Sequence, residues 1–211
     1  MRCFKSNIGI VVRWGLGRQH GPGTIYLVTE QDLVIGDVPR GAAVMLNVAK
    51  PFLSMEWPKV YDLVRSSTKT IIKIKPPSPI LVEVLDKVMP RGKVSYVLPP
   101  SQYISLVDRV YGGLVIEPVK DPALPLALNM AKERGGVALL ISPEVDPSAL
   151  MLVEPESVRS IIFEDEGEAY RFRTINEALC GGSEVYSYRC DCSNALMCLS
   201  KCGEVFVEKS L

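Results

Sequence analysis

From residue 70 onward, the chain repeats an apolar run, a proline and a segment with helical spacing of its hydrophobic residues. Pro76, Pro99, Pro118 and Pro143 mark the four junctions. The apolar runs are short and nearly continuous, as in strands that are buried on both faces. Strands that alternate with helices favour right-handed βαβ connections and a parallel sheet. The pattern therefore predicts an α/β fold with about four repeated βα units in a mostly parallel, Rossmann-like layered sheet.

Each junction is followed by a residue type that begins helices, namely Ser78, Ser101, Asp121 and Asp146. Ligands of open parallel sheets bind beyond the carboxyl ends of the strands, where helix N-termini offer free N–H groups to anions. The candidate anion- or ligand-binding residues at this edge are Ser78, Ser101, Gln102, Lys120, Asp121, Glu144 and Asp146. Helix capping alone also explains the serines and aspartates, and these junctions lack a glycine-rich phosphate loop.

The first third of the chain has a different pattern, with β-branched and aromatic runs at residues 8–14 and 24–29. Further short runs occur at residues 33–35 and 44–48, and Pro58 is placed to begin a helix. We expect residues 1–69 to form an N-terminal antiparallel β subregion, a meander or small half-barrel, with one helix.

The glycine-rich loop at residues 15–23 contains His20, the single histidine, and Arg18, and it follows Arg13. Two arginines beside a histidine suit an anion, and a histidine can exchange protons near neutral pH. The glycines precede a strand instead of a helix, so they do not form a dinucleotide-binding fingerprint. A turned β-hairpin loop is the alternative explanation.

After the repeated units, residues 158–163 and 168–172 flank an acidic turn. This arrangement predicts a β-hairpin at the edge of the sheet. Residues 70–179 are then a βα-repeat core that ends in this hairpin, and residues 180–211 are a cysteine-rich C-terminal tail.

Four cysteines in the tail, Cys190, Cys192, Cys198 and Cys202, have a spacing that brings four sulfurs into a small volume. Four thiolates suit a tetrahedral zinc ion, and an iron–sulfur cluster is the second metal option. Because Cys3 and Cys180 make the total even, disulfides among the six cysteines are an equally open interpretation. A short tail gains its stability from such a staple in either case.

Composition excludes some classes of protein. A chain with 47% hydrophobic and 23% charged residues is not disordered, and no apolar run reaches the length of a membrane span. No secretion signal is recognisable, so we expect a cytoplasmic protein without a membrane segment. Three glutamines against 16 prolines are typical of a thermophile.

The net charge of zero conceals an uneven distribution. Residues 1–76 contain 11 basic and five acidic side chains, and the remainder carries the opposite excess. A basic segment of this kind suits an anionic partner, although it is also compatible with a solvated surface.

No catalytic set is recognisable, and catalysis is left open. The leading hypothesis is a non-catalytic binding or assembly protein of a thermophile that contacts nucleic acid or a protein complex through its basic N-terminal third. The alternative is an enzyme or binding protein for a small phosphorylated or carboxylated metabolite at the C-terminal edge of the parallel sheet. A redox role of the cysteines is a third hypothesis.

Overall fold

Eight parallel strands form a closed barrel in which the spatial order of the strands equals their order in the chain. The structure is a computed structural model that describes residues 3–15, 21–182, 184–186, 194–201 and 206–208. The barrel closes where the first strand pairs with the eighth, with Asn7 opposite Ser160 and Ile10 opposite Phe163. The strands are β1 Asn7–Arg13, β2 Thr24–Val28, β3 Ala43–Ala49, β4 Lys69–Lys75, β5 Val94–Leu98, β6 Gly113–Ile116, β7 Val137–Ile141 and β8 Val158–Phe163.

Helices follow most strands, which is the architecture of a (β/α)8 barrel. Two short 3-10 turns, Ala149–Leu152 and Pro155–Ser157, lie between β7 and β8. A small antiparallel pair, β9 Glu184–Tyr186 and β10 Phe206–Glu208, lies in the tail. The helices are α1 Glu30–Ile35, α2 Lys50–Met55, α3 Trp57–Ser66, α4 Pro79–Val88, α5 Pro100–Leu106, α6 Leu124–Glu133, α7 Glu166–Cys180 and α8 Ala195–Lys201.

The barrel has two hydrophobic cores because successive strand residues point to opposite faces. The larger core lies between the strands and the helices and includes Leu46, Tyr96 and Phe163. The smaller core fills the barrel interior, and its residues alternate along each strand with residues of the larger core. Its members are Val11, Ile25, Met45, Ile71, Val97, Val115, Ala138, Leu140 and Ile162.

The prediction of a mixed α/β fold with parallel strands is confirmed, but the Rossmann-like open sheet is wrong. Open and closed parallel sheets share the same unit, a buried strand followed by a helix. What distinguishes them is the pairing of the first strand with the last, and that contact leaves no local pattern in the sequence. The barrel takes three strands from residues before 69, which the repeat had not revealed.

The predicted N-terminal antiparallel subregion is also wrong, because β1, β2 and β3 are parallel neighbours. The run at residues 33–35, expected to be a strand, lies in α1. Thr29 and Asp32 form a reciprocal capping box in which each side chain accepts from the other's backbone N–H. This cap begins a helix where β-branched residues alone suggest a strand. The run at residues 44–48 is confirmed as a strand, β3.

Of the β-hairpin predicted for residues 158–172, the first strand is confirmed and the second is wrong. Residues 158–163 form β8, but the acidic turn and the residues after it form the start of α7. The Asp165 side chain accepts a hydrogen bond from the N–H of Glu168 at 2.7 Å, and Glu166 and Glu168 lie in the first turn. Acidic residues are favourable at a helix N-terminus because of the helix dipole. The acidic run is thus a helix start.

A disulfide between Cys3 and Cys180 joins the N-terminal segment to the end of α7. The same two segments are held by a reciprocal pair of hydrogen bonds. The N–H of Phe4 donates to Asn176 Oδ1 at 2.7 Å, and Asn176 Nδ2 donates to the carbonyl of Phe4 at 2.9 Å. Disulfide bonding, one of the two interpretations of the cysteines, is therefore present in the chain. Among the described residues, no helix is long and apolar enough to cross a membrane.

Candidate functional site

Polar side chains replace the interior core at the C-terminal end of the barrel. Each lies two residues beyond a member of the interior core, so each points to the same face. Active sites of (β/α)8 enzymes are at this end of the barrel. Six strands have a polar residue at this position: Asn47, Lys73, Glu117, Ser142 and Glu164 form a polar layer, and Arg13 is exposed at the end of β1.

Lys73, on β4, is the centre of this polar layer, and only 5% of its side chain is exposed. Its Nζ atom lies 2.5 Å from Oε1 of Glu117, whose side chain is 8% exposed. Two further carboxylates are near the same ammonium, Glu164 with Oε1 at 3.5 Å and Glu144 with Oε2 at 3.6 Å. The ammonium of Lys73 is thus held among three carboxylates from the ends of three other strands.

The carboxylates are fixed by the neighbouring backbone and side chains. The N–H of Glu117 donates to the carbonyl of Leu98 at 2.9 Å, which extends the ladder between β5 and β6. The hydroxyl of Ser142 donates to Oε1 of Glu117 and accepts from the N–H of Glu144 at 3.2 Å. Glu144 is the more exposed member, and its Oε1 lies 2.9 Å from Nζ of Lys75 at the rim.

These contacts change the acidity of the groups. Burial lowers the pKa of Lys73, but the hydrogen bond to Glu117 and the charges of three carboxylates outweigh it and raise the pKa above its ordinary value. Burial raises the pKa of Glu164 above its ordinary value despite the nearby Lys73 charge. The hydrogen bond from Lys75 lowers the pKa of Glu144. The neighbours of Lys73 therefore favour its charged form, and burial favours the protonated form of Glu164.

Two acceptor oxygens in this layer are buried and not saturated by hydrogen bonds from the described residues. Oδ1 of Asn47 has no hydrogen bond, and Oε1 of Glu164 has only its ion-pair contact with Nζ of Lys73 at 3.5 Å. Asn47 is the register partner of Lys73 on the adjacent strand, so its side chain shares the interior face. Buried acceptors are nearly always satisfied by protein or water, and a group without a donor costs about 1–3 kcal/mol. Both oxygens are thus suited to accept from a bound molecule.

Of the residues predicted from the sequence, Ser101 and Asp121 are brought together. Asp121 Oδ2 accepts from the N–H of Ser101 at 3.0 Å, and Oδ1 accepts from the N–H of Ala123 at 2.9 Å. Burial raises the pKa of Asp121, but the backbone hydrogen bonds from Ala123 and Ser101 outweigh it and hold the pKa below the ordinary value. A carboxylate of the protein thus lies at the start of α5, where an external anion was expected.

Glu144, also predicted at this edge, belongs to the Lys73 cluster, and the remaining predicted residues are more scattered. Lys120 is exposed and lines a cavity of about 500 Å³ together with Asp121, Asp146 and Ser148. Ser78 is the N-cap of α4 but makes no capping hydrogen bond through its side chain. Gln102 lies within α5, and its buried Oε1 has no hydrogen-bond donor among the described residues.

Arg13 is exposed at the end of β1, whereas Arg18 and His20 lie outside the described residues. Cys198 is buried in α8 and is disulfide-bonded. The other predicted zinc ligands, Cys190, Cys192 and Cys202, also lie outside the described part of the chain. Within that part, no group of three or more His, Cys, Asp or Glu residues is arranged to hold a metal ion.

Lys73, Glu117, Ser142 and Glu164 were not among the site residues predicted from the sequence. A signal for Lys73 was present, since a lysine interrupts the apolar run of β4 and is followed by a second lysine two residues later. A charged residue in a strand that is otherwise buried requires a partner. The same two-residue step places a glutamate after β6 and after β8.

The fold and these residues define the class of protein: a parallel (β/α)8 barrel with a buried lysine–glutamate cluster at its C-terminal mouth. A comparison with models of known protein families finds no match, and a comparison with curated proteins also finds none. The function is therefore argued from the site alone.

The Glu164→Gln variant is expected to change the pH dependence of stability. Because burial raises the pKa of Glu164 above its ordinary 4.5, the stability that this group contributes is fully present below that value and is lost as pH rises through the folded-state pKa. Glutamine does not ionise, so the variant lacks this loss. Urea unfolding between about pH 4 and pH 8 should show the variant gaining stability relative to the natural protein as pH rises.

The matched control is Glu166→Gln, which removes an exposed carboxylate from the start of α7. We expect the difference in unfolding free energy between Glu166→Gln and the natural protein to vary less with pH than the corresponding difference for Glu164→Gln. The raised pKa of Glu164 would be contradicted if the difference in unfolding free energy between Glu164→Gln and the natural protein is constant with pH, or if it shifts in favour of the natural protein as pH rises.

Proposed function

We propose that the protein is an enzyme that binds a small polar metabolite at the C-terminal mouth of its barrel and transfers a proton there. One observation carries the proposal: the buried ammonium of Lys73 lies among Glu117, Glu144 and Glu164 at the mouth of the barrel, beside the buried Oδ1 of Asn47, which no described donor satisfies. Clusters of perturbed ionisable groups in such a position are typical of functional sites.

The two key residues have different roles. Lys73 stays protonated, so it serves as a fixed positive charge that stabilises negative charge developing on the substrate, and not as a nucleophile. Glu164 has a pKa above its ordinary value, which favours exchange of a proton with the substrate. Glu117 and Ser142 hold Lys73 in place through their shared hydrogen bonds.

The chemistry of the mouth selects the class of ligand. Oδ1 of Asn47 and Oε1 of Glu164 accept hydrogen bonds, so the ligand carries hydroxyl or amino donors. A phosphate or carboxylate on the same molecule has Lys120, exposed near the strand ends, as its partner. A small hydroxylated metabolite with an acidic group combines both requirements.

Ligand-induced stabilisation tests this proposal. We expect some members of a panel of polyols, amino compounds, sugar phosphates and hydroxy acids to raise the thermal midpoint of the natural protein. The same compounds should have a much smaller effect on Lys73→Met and Glu164→Gln, whereas Lys69→Met, at the opposite end of β4, should respond normally. If no compound stabilises the protein, or all three variants respond equally, the proposal fails.

Contact with nucleic acid or a protein complex is a second candidate function, and the arrangement of basic residues gives it a specific basis. Lys73 and Lys75 are paired with glutamates and do not contribute a free basic surface. Arg40, Arg65 and Lys69 are exposed at the opposite end of the barrel. There Gly41 donates to the carbonyl of Ser66 at 2.7 Å, which keeps the segments that carry Arg40 and Arg65 adjacent.

Binding of RNA and DNA oligonucleotides across a range of salt concentrations tests this second candidate. Affinity that falls steeply with salt, and falls further in an Arg40→Met and Arg65→Met double variant, would support contact through this basic end. Binding that is absent or independent of salt would exclude nucleic acid as the partner.

A cytoplasmic location, a thermophilic source and zinc binding by the tail also remain proposals, and zinc binding by all four cysteines requires Cys198 to be released from its disulfide. The Cys3–Cys180 disulfide links the location to the source, since stable disulfides in cytoplasmic proteins are a feature of hyperthermophiles. Metal analysis together with a thiol count under native and reducing conditions distinguishes a zinc-bound tail from a fully disulfide-bonded one.

A further inference from the structure

A polar cavity of about 190 Å³ lies at the N-terminal end of the barrel, opposite the mouth. It is bounded by the end of α6 and the starts of β6 and β8, and its polar lining includes Tyr103, Arg134 and Arg159. Cavities that bind drug-sized molecules measure about 300–1,000 Å³, so this one is suited to a smaller group. Nothing in the proposed function at the mouth uses it.

Arg159 is directed by an irregularity of the barrel. Val137 pairs with Val158 but Ala138 pairs with Ser160, so Arg159 is an extra residue on β8, as in a β-bulge. Bulges redirect side chains and are frequent beside functional sites. The stem of Arg159 packs against Gly136, where a Cβ atom would lie 3.3 Å from Cβ of Arg159. Gly136 also has a φ of +111°, which disfavours a side chain.

Tyr103, on α5, is only 5% exposed and lines the cavity. Burial raises the pKa of Tyr103, and the positive charges of Arg134 and Arg159 act on the hydroxyl in the opposite direction. The hydroxyl thus lies close enough to both arginines to donate to a group bound between them.

Arg134, at the C-terminus of α6, is partly engaged already. Its Nη1 donates to the carbonyl of Val107 at 3.2 Å, and its Nη2 pairs with the carboxylate of Asp108. These contacts orient the guanidinium and leave further N–H donors. Asp108 is exposed, so its carboxylate competes with an anion in the cavity but is free to turn toward solvent.

We infer that this cavity is a site for a phosphoryl group, bound by the guanidinium groups of Arg134 and Arg159 and by the hydroxyl of Tyr103. Arginine suits phosphate because its planar fork donates two parallel hydrogen bonds to the phosphate oxygens. The tyrosine hydroxyl donates a third hydrogen bond. The inference does not depend on the function proposed for the mouth.

Titration with inorganic phosphate at constant ionic strength tests the inference, with binding followed by calorimetry and by the backbone amide resonances of Gly112, Gly113 and Gly136, which line the cavity. We expect saturable binding that shifts these resonances. Arg159→Met should weaken it about tenfold or more, and Tyr103→Phe by up to about tenfold, since each loses hydrogen bonds to a charged group. Asp108→Asn should strengthen it by removing the competing carboxylate.

The control is Arg109→Met, because Arg109 pairs with Glu83 and does not line the cavity. A glycerol phosphate and a short oligonucleotide without terminal phosphates distinguish the source of the phosphoryl group. Tighter binding of the monoester assigns the site to a small metabolite, and tighter binding of the oligonucleotide assigns it to a nucleic-acid backbone. Phosphate that leaves the three glycine resonances unchanged, or equal losses in Arg159→Met and Arg109→Met, would overturn the inference.

Discussion

Replacing Lys73 by methionine is expected to lower the free energy of unfolding by about 3–5 kcal/mol at neutral pH, because removal of one partner leaves buried carboxylates without a counter-charge. Glu117 is almost fully buried beside Lys73, and Glu164 is held within 3.5 Å of the same ammonium. Methionine keeps most of the apolar stem, so the loss measures charge instead of packing. Equilibrium unfolding in urea checks the value, provided that the dependence on urea concentration is unchanged.

A double variant and a neighbouring lysine make this result interpretable. Lys73→Met combined with Glu117→Gln removes the strongest uncompensated charge and should regain much of the lost stability. Lys75→Met removes an exposed lysine that also pairs with a glutamate, and it should cost less than about 1 kcal/mol. If the Lys73 and Lys75 variants lose the same small amount, the cluster has no energetic role in the barrel.

Replacing Cys3 and Cys180 together by serine is expected to lower the free energy of unfolding by about 2–5 kcal/mol, because the disulfide restricts a very long loop in the unfolded chain. The two cysteines are 177 positions apart. The hydrogen bonds between Phe4 and Asn176 remain in the variant, so the N-terminal segment should still dock on α7. Thermal and urea unfolding of the oxidised proteins give the difference.

Reduction provides the control for the disulfide variant. With a reductant present, the natural protein and the double serine variant should approach the same stability, since neither then has the Cys3–Cys180 bond. A stability difference that persists undiminished after complete reduction would show that the serine side chains, and not the lost bond, cause the effect.

The repeated part of the fold was predictable from the sequence because its signals are local. The apolar runs of β4, β5, β6 and β7 and the prolines after them indicate strand–helix units, and the structure has these strands. Ser78 is the N-cap of α4 as expected. Asp121 differs, because its carboxylate accepts hydrogen bonds from two segments and its residue does not cap α6. Side-chain type therefore indicates a junction more reliably than it indicates the hydrogen-bond partner.

Closure of the barrel was not predictable in the same way. The pairing of β1 with β8 joins residues about 150 positions apart, and neither strand has a local sequence feature that identifies its partner strand. The short runs of β1 and β2, with a glycine-rich segment between them, resemble a hairpin. The capping box of Thr29 and Asp32 was the local signal that could have identified α1.

The candidate site depends on that closure. In an open sheet the ends of β4 and β8 lie far apart, whereas the closed barrel brings Lys73 within 3.5 Å of Glu164. Most residues predicted from the sequence therefore lie at helix starts, which belong to single units. Apart from Glu144, the residues that meet across the barrel were not predicted. Helix starts such as that of α5 turned out to contact carboxylates of the protein itself.

The Cys3–Cys180 bond has a consequence for proteolysis. The bond makes residues 3–180, which include all eight barrel strands, into a covalent ring. A single cut at any peptide bond inside this ring opens the ring but releases no fragment. A nicked molecule should therefore run as one band in a denaturing gel without reductant and separate into two bands when reductant is added.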